Sequence, residues 1–242
     1  MPLSMVDQPP QGVKRDAQQS AKPARRKSIR MSNAQLRAAV AKAAKRFLDH
    51  RASEKPLVLT GIMGVGKTAV GRRLASVLRV KFVDSDQEIE RVAGLRIAEI
   101  FERYGESYFR DRERAVIARL LDEHQGIIAI GGGAFVDEET RELILKKGIA
   151  VWLQAPLDLL VERTGRRDTR PLLKNADPRQ VLEELLEKRT PAYSKAPVKA
   201  NSGLGRLDRT VLSVLNRVNS HIYGGKRPRN PRHRRNRSNS GA

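Results

Sequence analysis

An apolar strand, a glycine-bracketed loop and an amphipathic helix in direct succession constrain this chain more than any other stretch. Pro56-Leu57-Val58-Leu59-Thr60 leads into Gly61-Ile62-Met63-Gly64-Val65-Gly66-Lys67-Thr68, and Ala69 opens a segment in which Val70, Leu74, Val77 and Leu78 share one helical face. The loop satisfies G-x-x-x-x-G-K-[ST] in full. Such a loop aims backbone N–H groups and a helix N-terminus at a polyphosphate. Gly64, Val65, Gly66, Lys67, Thr68 and Ala69 are therefore the expected nucleotide-binding residues. Lys67 reaches the β- and γ-phosphates in this reading, and Thr68 offers its hydroxyl to Mg²⁺. Gly64-x-Gly66-x-x-Ala69 also satisfies the dinucleotide fingerprint, with Asp84 as its acidic partner, but that pattern leaves the Lys-Thr pair without a use. A glycine-rich turn with no ligand is the plain alternative.

Three further stretches end strands in the same manner. Lys81-Phe82-Val83-Asp84-Ser85-Asp86 is a short second strand closing on two carboxylates, and Ser85 or Asp86 also suits a helix N-cap. Gly126-Ile127-Ile128-Ala129-Ile130 discharges into Gly131-Gly132-Gly133, a costly triplet that makes sense where backbone approaches a ligand closely. Ile149-Ala150-Val151-Trp152-Leu153 is a fourth strand and Val198-Lys199-Ala200 an edge strand. Helical stretches fall between them: Ile89, Val92 and Ile97 through Ile100-Phe101, then a longer helix over 106–121 beyond Gly105, then 137–146, 156–163, 178–188 and 207–220. Strands alternating with helices at these lengths imply a parallel sheet covered on both faces, with ligands bound beyond the carboxyl ends of the strands.

Either Asp84 or Asp86 can serve a metal through water, which leaves the other to orient or deprotonate a substrate hydroxyl. Arg110 precedes Glu113 by one helical turn, so the carboxylate can hold the guanidinium ready for an anionic substrate. Arg189 has the same potential, and Arg170, between Thr169 and Pro171, suits a lid donor closing on the transferring phosphate. Taken alone, Arg110 and Arg189 read better as exposed ion pairs and Arg170 as a solvated loop charge.

The net charge of +21 suggests a nucleic-acid binder until it is located. Residues 1–55 hold 13 basic and 4 acidic side chains, and 225–242 hold 7 basic and no acidic ones. The stretch 56–224 has 28 basic against 23 acidic, an ordinary globular balance. The ends are thus expected to give at most weak, salt-sensitive binding to nucleic acid. Residues 1–31 read as a disordered basic arm and 224–242 as a disordered basic tail. Between arm and domain, 32–50 reads as an extra amphipathic helix, with Ser32-Asn33 as cap and Leu36, Val40, Ala43 and Phe47 on one face, either docked on the domain or free for a membrane or partner. The chain has no cysteine, which excludes disulfides and thiolate metal sites, and no apolar run approaches the roughly 18 residues of a membrane span. A cytoplasmic protein is expected.

In order and spacing, the phosphate loop, Phe82-Val83-Asp84-Ser85-Asp86, Phe109-Arg110-Asp111-Arg112-Glu113, Gly131-Gly132-Gly133-Ala134, Arg170-Pro171-Leu172-Leu173 and Arg189-Thr190-Pro191-Ala192-Tyr193 resemble the shikimate kinase family. The likeness covers residues 56–193 and more weakly runs to 220, leaving both ends outside it. The resemblance implies an α/β, three-layer P-loop kinase fold over 55–223, with a five-stranded parallel sheet in the order 2-3-1-4-5 and a flexible lid. It implies ATP-dependent phosphorylation of the 3-hydroxyl of shikimate, in the route to chorismate and aromatic amino acids, with ATP and Mg²⁺ as cofactors and a monomer as the default state. By the same resemblance Asp86 meets the reacting hydroxyl, Arg110 and Arg189 bind the substrate carboxylate, and Gly132 offers its backbone to the substrate. Asp84 joins Thr68 at Mg²⁺, Lys67 and Arg170 act on the phosphates, and Arg163 stacks on adenine. The segment Asn201-Ser202-Gly203-Leu204-Gly205-Arg206 departs from the adenine-contacting pattern of some members. Related gluconate or nucleotide kinases, and a P-loop fold used for nucleic-acid or partner binding, are the alternatives.

Overall fold

The computed structural model describes residues 31–50, 54–165, 177–203 and 205–224. The elements in chain order are α1 (Asn33–Leu48), β1 (Leu57–Thr60), α2 (Lys67–Leu78), β2 (Phe82–Asp84), α3 (Ser85–Ala93), α4 (Ile97–Glu123), β3 (Ile127–Ala129), α5 (Glu138–Lys147), β4 (Ile149–Gln154), α6 (Leu157–Gly165), α7 (Pro178–Tyr193), β5 (Val198–Asn201) and α8 (Leu207–Tyr223). The expected basic arm, basic tail and Arg170 lid lie outside the described residues.

All five strands pair in parallel, in the order β2-β3-β1-β4-β5. Leu57 of β1 sits opposite Ile127 of β3 on one side and Ile149 of β4 on the other. These three strands are apolar runs buried almost end to end, as strands covered on both faces must be. β5 alternates instead, with Val198 and Ala200 inward and Lys199 and Asn201 exposed, the pattern of an edge with one wet face.

Handedness then places the helices. The chain leaves β1, passes beyond β3 to β2, returns to β3, and crosses β1 to reach β4 and β5. Parallel crossovers are right-handed, so the reversal puts α2 on one face and α4 through α7 on the other. The packing agrees: α4 contacts α5 and α6 contacts α7, while α1, α2 and α8 gather on the opposite side. The direction changes between β1 and β3, so their carboxyl ends open a crevice there.

The end of the second strand and the cap that follows it differ from the sequence reading. The second strand stops at Asp84, and Ser85 and Asp86 already belong to α3. Asp84, rather than Ser85 or Asp86, is the N-cap, its Oδ1 accepting from the Asp86 N–H at 3.2 Å. A cap keeps extended backbone while its side chain turns back to the first helical turn, and the last strand residue meets both conditions. The expected break at Gly105 is present: its backbone (φ 79°, ψ 176°) is non-helical and parts α4 into two helical stretches at a kink. Val92 faces solvent at 58 % exposure, while Ile89 and Ile100 carry the buried stripe.

α1 begins with a capping box between Ser32 and Gln35 and buries Leu36, Val40, Ala43, Ala44 and Phe47. It packs on α8 and α2, leaving Lys42, Lys45 and Arg46 in water. The Asn219 side-chain amide of α8 donates to the Ala43 carbonyl at 2.9 Å within this contact.

Candidate active site

Gly66 ends the loop after β1 in the left-handed region (φ 93°) and stands as the N-cap of α2 without a side-chain cap of its own. An L-residue would be strained there, and a capping side chain would occupy the N–H groups that a phosphate needs. Lys67 folds over the loop, its Nζ donating to the Gly61 carbonyl at 2.8 Å and the Ile62 carbonyl at 3.4 Å. Arg163 of α6 braces the loop from behind. It donates to the carbonyls of Gly64 (3.5 Å) and Val65 (3.4 Å), and across the cleft to Ser202 Oγ (3.3 Å) and the Gly203 carbonyl (3.1 Å). The residue expected at adenine thus also joins the phosphate loop to the segment that enters α8.

Next to Lys67, the Thr68 hydroxyl donates to Asp84 Oδ2 at 2.8 Å, linking α2 to the end of β2. A hydroxyl and a carboxylate at the mouth of a phosphate loop suit a hard cation that takes phosphate oxygens and keeps several waters. Among the described residues no group of three or more His, Cys, Asp or Glu could hold a metal by itself. The donor set therefore fits Mg²⁺ delivered with a nucleotide, and does not suit a resident protein-caged metal.

The other side of the crevice is built by α3, α4, α7 and the loop after β3. Burial pushes the Asp86 carboxyl up to about 6, helped by the neighbouring Asp84 charge and opposed by Lys67 and Arg110. Arg110 donates through Nη1 to Glu113 Oε2 at 2.6 Å and through Nη2 to Glu106 Oε1 at 3.0 Å. The Glu113 side chain is 3 % exposed and that of Glu106 67 %, so Glu113 is the firm anchor. Burial raises the Glu113 carboxyl above its usual range, and the Arg110 guanidinium pulls it back.

Each glycine of the triplet has its own reason to lack a side chain. A Cβ at Gly131 would sit 2.7 Å from Glu113 Oε1 and 2.8 Å from Asp86 Oδ1. At Gly132 it would meet Arg189 Nη1 at 2.9 Å, and at Gly133 Arg110 Nη1 at 2.6 Å. The Gly131 N–H donates to the buried Ser85 hydroxyl at 3.2 Å. Tyr193 donates its hydroxyl to the Gly132 carbonyl at 2.6 Å and also meets the Arg189 side chain one helical turn back on α7.

The cavity enclosed by these elements has a volume of about 840 Å³. Gly64, Gly66, Lys67, Thr68, Ala69, Asp84, Asp86, Arg110, Gly132, Arg163 and Arg189 all line it, so the structure gathers these expected residues in one crevice. Val65 is buried beneath the loop and contributes its backbone; Arg170 is outside the described residues. The sequence offers Ser85 only as a helix cap and gives no task to Glu113 as a wall residue or to Tyr193. The last was visible only as the final residue of Arg189-Thr190-Pro191-Ala192-Tyr193, four positions after an arginine and so on the same helical face.

The comparisons bear on what such a crevice serves. The pattern described as shikimate kinase matches residues 63–218. A shikimate kinase from Novosphingobium aromaticivorans is 53% identical over 172 residues, covering 69% of this chain and 89% of the relative. One from Caulobacter vibrioides is 55% identical over 149 residues, 62% of this chain and 74% of the relative. Among solved structures, shikimate kinase from Acinetobacter baumannii in complex with shikimate superposes with a TM-score of 0.63 at 36% identity, covering 76% of this chain and 98% of that one.

Proposed function

The chain belongs to the shikimate kinase family, and from that premise we propose that it transfers the γ-phosphoryl group of ATP to the 3-hydroxyl of shikimate, giving shikimate 3-phosphate and ADP. The observation that carries this reading is the meeting of two walls in one cavity. A phosphate loop with Lys67, Thr68 and Asp84 faces a wall of Asp86, Arg110, Gly132 and Arg189. The first wall is general to phosphoryl transfer; the second suits a small hydroxylated carboxylate.

The two arginines take the substrate carboxylate, Arg110 with its guanidinium fixed by Glu113 and Arg189 with its own beside Tyr193. Gly132 brings the substrate against bare backbone. Asp86 accepts a hydrogen bond from the reacting hydroxyl and aligns its oxygen with the γ-phosphorus. As the new P–O bond forms and the bond to the ADP oxygen breaks, the hydroxyl proton passes to the Asp86 carboxylate. A carboxyl raised toward neutrality is suited to receive it. Lys67 leaves the Gly61 carbonyl for the β- and γ-phosphates, and Arg170 adds charge from the lid as transfer proceeds. Mg²⁺, held beside Thr68 and Asp84 when bound, spreads the phosphate charge.

The same reading makes the enzyme a cytoplasmic monomer, with the basic ends adding only salt-sensitive contacts to nucleic acid. No helix among the described residues is long and apolar enough to cross a membrane. The test is ADP release coupled to a reporter, run with shikimate, gluconate and nucleoside monophosphates in parallel. Shikimate-dependent turnover is expected from the wild type. Asp86→Asn is expected to lose orders of magnitude in kcat with ADP affinity near normal. Folded protein that turns over one of the other acceptors and ignores shikimate would falsify the assignment.

A further inference from the structure

α1 lies outside the stretch that matches the family, residues 63–218, yet it is built into the fold. Its buried stripe explains why it docks on α8 and α2, but not where its first turn is aimed. The Ser32–Gln35 capping box holds that turn in place. The next residue, Asn33, accepts through Oδ1 a hydrogen bond of 2.5 Å from Arg206 Nη1. Arg206 is the N-cap residue of α8 and follows Ser202, Gly203 and Gly205, which line one end of the cavity.

The inner side of this loop is tied to the domain. Arg163 reaches Ser202 and Gly203, the Ser202 N–H donates to the Gln154 carbonyl at 2.6 Å, and Arg73 of α2 pairs with Asp208 at 2.7 Å. Asn33 holds it from the outer side. The substrate wall is built by other elements, α3, α4 and α7, so the Asn33 contact bears on one half of the cavity only.

We propose that α1 is a working part of the nucleotide half of the site, with Asn33 a positioning residue that, through Arg206, holds the cavity wall of Ser202, Gly203 and Gly205 in the arrangement that receives the adenosine end of ATP. This rests on the reading of Arg163 as the adenine contact, since Arg163 also reaches Ser202 and Gly203 at that end of the cavity. The physical gain is preorganisation: wall residues already tied in the free protein lose less freedom when a ligand settles on them. The helix touches no substrate and acts through Arg206.

The test uses the full chain, titrated with ADP by calorimetry and assayed for the shikimate KM. Asn33→Ala is expected to weaken ADP about three- to fivefold, the size appropriate to one exposed charged hydrogen bond, with the shikimate KM and Tm unchanged. Arg206→Ala is expected to weaken ADP at least as much, and the double variant no more than Arg206→Ala alone. Asn33→Asp keeps the acceptor and is expected to restore affinity. Unaltered ADP binding in Asn33→Ala overturns the proposal. So does a loss shared equally by shikimate and accompanied by a lower Tm, since that is a helix supporting the fold in general. A wild-type chain that binds no ADP sinks the nucleotide reading and this proposal together, whereas normal wild-type binding with an indifferent Asn33→Ala sinks the proposal alone.

Discussion

Replacing Glu113 by Gln tests whether substrate recognition depends on a carboxylate that never touches the substrate. Glu113 is almost wholly buried and accepts the 2.6 Å bond from Arg110 Nη1. Removing its charge turns an ion pair into a bond from the guanidinium to a neutral amide oxygen, and hydrogen bonds to charged groups contribute about 1.5–3 kcal/mol. The remaining partner, Glu106, is two-thirds exposed and too well solvated to hold the guanidinium alone. Arg110 itself is 30 % exposed, which trims the loss to about 1.5–2.5 kcal/mol of transition-state and substrate binding. That range corresponds to a roughly 10- to 70-fold rise in the shikimate KM. The ATP KM is expected to stay within about twofold, because the contact lies across the cavity from the phosphate loop. Burial raises the Glu113 carboxyl, so a protonated Glu113 is the competing case, and there Gln is a near isostere with no effect. Steady-state kinetics with each substrate varied in turn separates the two. An unchanged shikimate KM, with Tm also unchanged, would refute the positioning argument.

Gly133→Ala places a methyl group 2.6 Å from Arg110 Nη1 and is expected to raise the shikimate KM by about tenfold while circular dichroism stays native. A near-normal KM would mean Arg110 has room to move. Phe47→Ala empties the contact between α1 and the helices beneath it, and about 3 kcal/mol of stability should be lost in urea titrations at constant m; a loss below about 1 kcal/mol would show α1 to be loosely held. His124 is 8 % exposed, and burial lowers its pKa below the ordinary 6.5. The unfolded chain therefore takes up the proton first, so this contribution is whole above pH about 6.5 and fades as pH falls through the lower folded value. Thermal melts from pH 7.5 to 5 should show His124→Gln losing less Tm than the wild type; an equal or larger loss would contradict the sign.

The frame and most of the site were legible in local sequence because each motif lies at the end of its own strand. Leu57 to Lys67 is strand, loop and helix within a few residues, and Ile127 to Gly133 repeats the strand-then-glycine pattern. Whatever a strand end presents, the sheet brings to the same edge. Less legible were contacts made at long separation by residues with ordinary local duties. Asp84 looked like a ligand and is also a helix cap; Ser85 looked like a cap and instead accepts from Gly131, 46 positions away. Tyr193 finds its partner 61 positions back, at a backbone carbonyl that no side-chain pattern can announce. The sequence stripe of α1 indicated a buried face, but Asn33 meets Arg206 across 173 positions, and nothing near either residue signals the other.

The glycine triplet has a consequence for how this enzyme tolerates change. Four side-chain ends crowd three consecutive positions: Asp86 and Glu113 at Gly131, Arg189 at Gly132 and Arg110 at Gly133. Glu113 and Arg110 both belong to α4 and are bonded to each other, so a methyl group at Gly131 or at Gly133 disturbs the same pair, while Arg189 on α7 answers to Gly132. The triplet acts as a common gauge against which both acids and both arginines are set, and a methyl group there must be answered by a shift of the side chains that form the substrate wall.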